Sequence, residues 1–225
     1  MKVHGLIGAT LLSAELLTQA GAAHAEGSWM GLEFGVLNID SDYPAYGGDS
    51  KSGSTPVLRA SGEVCSALLG TEGDLVQLFN SDSSASKPNA VSVFGLDCGL
   101  PFWEPEFAGI DFSVGAGVRY RYHSHFRLIH DTYASLPLIF TASKQVLPGL
   151  APYATLAFGP IGYVTGDKYG KYNSLELGAN YQFADDWKVS ASYNLAHDES
   201  RDKGFDGSIN VYDSTMAAVG IHYGW

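Results

Sequence analysis

Fifteen consecutive residues, Ala108 to Tyr122, alternate in character without a fault. Ala108, Ile110, Phe112, Val114, Ala116, Val118, Tyr120 and Tyr122 make one apolar face. Gly109, Asp111, Ser113, Gly115, Gly117, Arg119 and Arg121 make the other. A period of two belongs to a strand whose faces meet different surroundings. Soluble strands commonly run about five or six residues, whereas a tilted strand crossing a bilayer needs about nine to eleven. A soluble sandwich has little use for an aspartate and two arginines on an inner face. Its outer face would not be wholly apolar either. The segment therefore predicts lipid on one side and a polar lumen on the other.

Two further stretches carry the same signal. In Ser174 to His197, Leu175, Leu177, Ala179, Tyr181 and Phe183 oppose Glu176, Gly178, Asn180 and Gln182. After the short Ala184-Asp185-Asp186 turn, Trp187, Val189, Ala191, Tyr193 and Leu195 resume the apolar face. Aromatics cluster at that turn, as an interfacial girdle would. In the terminal segment Ala217, Val219, Ile221, Tyr223 and Trp225 oppose Met216, Ala218, Gly220, His222 and Gly224. Ser28 to Asn38 opens the series, with Met30, Leu32, Phe34 and Val36 against Gly31, Glu33 and Gly35.

Residues 1–25 have the form of an export signal. Lys2 precedes the apolar stretch Leu6 to Leu17, interrupted by Glu15, and Ala23-His24-Ala25 gives the small-x-small cleavage pattern. The mature domain is then 26–225. No later segment reaches the roughly 18 apolar residues of a membrane helix. The net charge of -11 argues against nucleic acid as a partner. The two cysteines, Cys65 and Cys98, read by default as a disulfide in an exported chain. With no neighbouring thiol or imidazole they fall short of a metal site, and no cofactor motif is present.

The intended architecture is all-β, an antiparallel up-and-down transmembrane barrel. Short turns at Ala184-Asp185-Asp186 and Leu147-Pro148-Gly149 face the periplasm, and long polar loops face outward. Residues 56–80 are hard to read. Eight strands result if they belong to a long first extracellular loop region around 40–88, and ten if they are wall; eight is favoured. Pro137, Pro152 and Pro160 predict bulges or shortened pairing, since proline cannot donate to a ladder.

The export signal, the aromatic-ended last strand and the hairpin at Leu175 to Leu195 resemble the small outer-membrane barrels of Gram-negative bacteria. That group holds the OmpA-type transmembrane domain, the opacity-type surface proteins and the PagL-like lipid A deacylases. The resemblance implies the cell outer membrane, contact with its lipid and lipopolysaccharide, and a C-terminal signal at Val219, Ile221, Tyr223 and Trp225 read by the barrel-assembly machinery. Long polar loops above a filled barrel predict a structural or adhesin-like role, with a host or surface ligand meeting the loops; a small porin or channel is an alternative.

By parity Glu33, Asp111, Arg119, Arg121, Glu176 and Lys188 face the lumen, where they would pair to fill a narrow, non-conducting interior. His123 and His125, with His130 and Asp131 near, form a His-rich loop rather than a metal site. The second functional class is an enzyme. PagL-like deacylases place a His-x-Ser-Asn motif at the outer end of the penultimate strand, with an acid entering the last. Here His197-Asp198-Glu199-Ser200-Arg201 and Asp213 stand in that region. His197 would be the base, Ser200 the nucleophile and Asp213 the orienting acid of a lipid A acyl hydrolase. One extra residue separates His from Ser, Arg201 replaces Asn and the acid is Asp rather than Glu. A polar loop is the reading adopted, and no enzyme is expected.

Overall fold

The computed structural model describes residues 28–42, 51–71, 91–125, 129–163, 168–202 and 209–225. The export-signal expectation for residues 1–25 and most of the outward loops lie outside the described residues. The strands are β1 (Trp29–Asp42), β2 (Lys51–Ser61), β3 (Cys65–Thr71) and β4 (Val91–Trp103). They are followed by the short β5 (Glu106–Phe107), then β6 (Ile110–His125), β7 (Ile129–Ser135) and β8 (Leu138–Ser143). The last four are β9 (Leu150–Tyr163), β10 (Lys168–Ala184), β11 (Trp187–Asp202) and β12 (Ile209–Gly224).

The wall runs antiparallel from β1 through β2, β3, β4 and β6 to β7 and β8 end to end, then through β9, β10 and β11 to β12, which returns to β1 and closes it; β5 pairs only with β6. The circuit of registers that leaves β1 at Gly31 passes Ser61, Ser66, Asp97, Arg119, Ser135, Ile161, Gly170, Ser200 and Asn210. Val211, next to Asn210, pairs with Asp42, so the circuit re-enters β1 far outward of Gly31. That stagger is the shear of a barrel of tilted strands.

The wall has ten strands, not the favoured eight. β2 and β3 are wall strands, although the sequence reading placed them in a loop around 40–88. Pro137 divides one wall strand into β7 and β8: the ladder to β9 stops at Ser135↔Ile161 and resumes at Leu138↔Phe158, with Pro160 opposite the same gap. Pro152 lies inside β9 without a register shift.

The exterior is inside-out relative to a soluble protein. On β1 Met30, Leu32, Phe34 and Val36 are all exposed, and on β12 Val219, Ile221 and Tyr223 continue the band. A soluble chain would not leave so large a contiguous apolar surface in water. Tyr181, Phe183, Trp187, Tyr223 and Trp225 cluster at the short-turn end of β10, β11 and β12; the Trp187 and Tyr223 rings lie 5.0 Å apart. Among the described residues there is no helix, so every crossing is made by strands, whose backbone groups are paired around the closed wall.

The buried apolar residues face inward. Leu37 and Ile39 of β1, Val57 of β2, Leu68 of β3, Val93 of β4 and Met216 of β12 form one cluster. On β1 this cluster lies outward of Glu33, so the lumen changes from ionic to apolar along its length.

Candidate functional site

Arg59 of β2 is the centre of the lumen. Its Nε donates to Glu33 Oε2 at 2.8 Å and its Nη2 to the same oxygen. Its Nη1 crosses to Glu176 Oε2 of β10 at 2.9 Å, and its Nη2 reaches Ser192 Oγ of β11 at 3.2 Å. Tyr153 of β9 donates to the other Glu176 oxygen at 2.9 Å. One guanidinium thus ties four strands, using the fixed fork that suits paired carboxylates. Nearer the periplasm His222 is 2.8 Å from Ser190 Oγ and 3.7 Å from Glu33 Oε1, and Lys188 Nζ lies 4.5 Å from the Trp29 ring centroid.

A second group stands on β4, β6 and β10. Asp97 bonds Arg121 Nη2 and faces Arg119 Nε at 3.7 Å. The Arg119 guanidinium lies 3.9 Å above the Tyr172 ring, whose hydroxyl donates to Ser174 at 2.6 Å. Glycines on the same face make room for these side chains: a Cβ at Gly95 would strike Arg121, and one at Gly220 would strike Glu33. The apolar cluster meets Arg119, Arg121 and Tyr172 across a residual cavity of about 70 Å³.

Of the lumenal residues named from parity, Glu33, Arg119 and Arg121 are buried, while Glu176 and Lys188 are half-buried. Asp111 stands apart. It is exposed at the periplasmic mouth, paired in the ladder with Glu106. Sequence reading missed Arg59, Asp97 and Tyr153. A lone arginine between Val57, Leu58 and Ala60 was the available signal for Arg59; nothing in β4 or β9 marked the other two as its partners.

At the outer end His197 and Asp213 are opposite residues of β11 and β12. His197 Nδ1 lies 2.6 Å from Asp213 Oδ1, and its Nε2 lies 3.2 Å from Glu199 Oε1. All three are outward positions just above Leu195 and Thr215, where the apolar belt ends. The hydrogen bond with Asp213 raises the imidazole pKa above its usual value; partial burial opposes it, and Glu199 adds to it. Ser200 has the opposite parity on the same unshifted stretch of β11. Its side chain, like those of His123, His125, His130 and Asp131, lies outside the described residues. Among the described residues no cluster of metal-binding type is found.

Cys65 and Cys98 are directly opposite on β3 and β4 and are joined by a disulfide, with Cα atoms 4.0 Å apart. They share the outward parity of Phe94, Leu96 and Leu100.

A closed antiparallel wall, apolar outside, with aromatics clustered at its short-turn end and ion pairs buried within, defines an outer-membrane β-barrel. Solved structures of that kind are similar to the chain throughout. The outer-membrane protease OmpT of Escherichia coli is 10% identical, with 89% of this chain and 97% of that one covered and a TM-score of 0.48. Neisserial surface protein A is 8% identical, covering 88% and 99%, with a TM-score of 0.35. The N-terminal barrel domain of Pseudomonas aeruginosa OprF is 13% identical, covering 89% and 100%, with a TM-score of 0.30. No protein-family model and no curated protein sequence matches the chain.

Proposed function

We propose that this outer-membrane barrel is a structural, surface-exposed protein with a filled lumen that does not conduct ions, its outward loops carrying any adhesive contact. The observation that carries the reading is Arg59, which ties β1, β2, β10 and β11 through the middle of the lumen. The apolar cluster outward of it supports the same reading, because a hydrated ion would have to be stripped of water to pass Ile39 and Val93. Lipid and lipopolysaccharide cover the belt, and the assembly machinery reads Val219, Ile221, Tyr223 and Trp225.

Purified protein in planar bilayers should give no sustained conductance at neutral pH, whereas removing Arg59 and the apolar cluster together should open one. Steady channels in the unmodified protein would replace this reading by a porin. An acyl hydrolase, the other reading, would require Glu199 to release His197 and a hydroxyl to approach along the outward row. Lipid A mass spectra of cells with and without the protein test it directly, with Ser200→Ala as control.

A further inference from the structure

The wall is not of even depth. β2 ends at Ser61, opposite Gly31, and the Gly62-Glu63-Val64 turn leads straight into Cys65. The strands flanking the β2–β3 hairpin run further inward, β1 to Trp29 and β4 to Trp103. Gly31 lies between Met30 and Leu32 of the lipid-facing belt, so the β2–β3 turn hangs inside the membrane depth and leaves a notch below it. The notch is about two strands wide, on the order of 10 Å.

Its edges are not arranged to receive another strand. Gly99 N donates to Val64 O at 2.8 Å, closing the top of the notch. Pro101, whose nitrogen lies on the same side of β4 two residues on, has no N–H to offer. Backbone without a partner strand is tolerated at membrane depth only where it lines protein or water. Glu63, exposed at the turn, accepts from Ser28 Oγ at 3.5 Å.

Behind the notch lies a lumenal cavity of about 390 Å³, within the size range of small-molecule sites. Glu63, Ser66, Asp97, Thr155 and Asn194 are among its lining residues. Its outer end is closed by the ionic layer and the apolar cluster. Its deep ionic groups, Arg59 and Arg119 among them, are matched to one another, which leaves Glu63 at the lip as its exposed carboxylate. Arg59 directs its donors to Glu33, Glu176 and Ser192, and Arg121 directs its own to Asp97 and the Tyr120 carbonyl. Asp97 itself is held between Arg121 Nη2 and Arg119 Nε, and its Oδ1 is buried. Glu63, exposed at the lip, is the carboxylate that an entering solute meets.

Resting on the closed-lumen reading, we infer that the inner half of the lumen is a blind, water-filled vestibule. It is entered from the periplasmic side through the notch below the β2–β3 turn, where Glu63 favours small organic cations bearing amines. Solutes reach Asn194 and Thr155 from the periplasm and are stopped there.

The test uses full-length Asn194→Cys and, as a second reporter, Thr155→Cys in proteoliposomes of one orientation. Each face is treated separately with membrane-impermeant cationic (trimethylammonium) or anionic (sulfonate) methanethiosulfonate reagents, with rates normalised to those with free mercaptoethanol. The expected result is modification from the periplasmic face only, with the cation at least about tenfold faster. Putrescine should slow it, and Glu63→Lys should collapse the cation preference. No modification of either reporter from the periplasmic face, or equal normalised rates for the two reagents, overturns the vestibule. Modification from both faces overturns instead the closed lumen on which the inference rests.

Discussion

Arg59 and Glu176 stand on strands that are not neighbours, yet their side chains meet across the lumen at 2.9 Å. Glu33, whose side chain is 6% exposed, shares the same guanidinium. Removing one partner of such a set strands a buried charge, which costs about 3–5 kcal/mol. Replacing the whole set by apolar residues of similar volume costs much less, because no ion is left in the interior. Arg59→Leu should therefore lower the urea midpoint of the folded, heat-modifiable form more than Arg59→Leu, Glu33→Leu, Glu176→Leu and Tyr153→Phe combined. Equal losses would show that the lumen is wet enough to solvate Glu33 without Arg59.

The disulfide closes a sequence separation of 33 residues between β3 and β4, at the end of the hairpin that stops short of its neighbours. Cross-linking a loop of that length restrains the unfolded chain by about 2–4 kcal/mol. Cys65→Ser with Cys98→Ser should lose that much in unfolding experiments and loosen the β2–β3 turn first. Hydrogen exchange localised to Ser61 and Ser66 is the readout. Uniform loss of protection around the barrel would count against a local role for the bond.

Most of the wall was legible from period two alone, because most strands put lipid on one face and glycine or a polar group on the other. β2 and β3 failed that reading for a physical reason. Val57 and Leu68 have lumenal parity but belong to the apolar cluster, while Thr55, Arg59 and Ser66 share that parity and Ser52 and Ser54 lie on the other face, so alternation is blurred. Val93 does the same to the start of β4. The ionic partners were less legible still. Arg59 finds Glu176 only through the stagger of the closed barrel, which no single strand encodes.

His197 is held by Asp213 at 2.6 Å and Glu199 at 3.2 Å, and its pKa is raised, first by the Asp213 hydrogen bond. A histidine raised in the folded state stabilises fully below its unfolded pKa of about 6.5, and loses that contribution as pH rises through the higher folded value. The cluster is more than one-third exposed, so the effect is that of a screened surface pair, about 0.5 kcal/mol. Amide protection at the outer ends of β11 and β12 should fall as pH passes upward from about 6.5, and His197→Gln should remove that dependence. A rise in protection with pH would reverse the assignment of the charged state.

Val219 sits midway along the exposed face of β12, between Ala217 and Ile221, and is 63% exposed. In water, changing so open a side chain alters stability by no more than about 0.5 kcal/mol. Facing the middle of a bilayer, an arginine there costs about 2–4 kcal/mol. Val219→Arg measured in phospholipid vesicles should show the larger loss. Asp213→Arg, above the end of the belt on the same strand, should show only the smaller effect expected near an interface, together with release of His197. The contrast between two positions on one face of one strand separates burial in lipid from general intolerance of charge. If both substitutions cost the same, β12 does not cross the membrane at the depth its aromatic end implies.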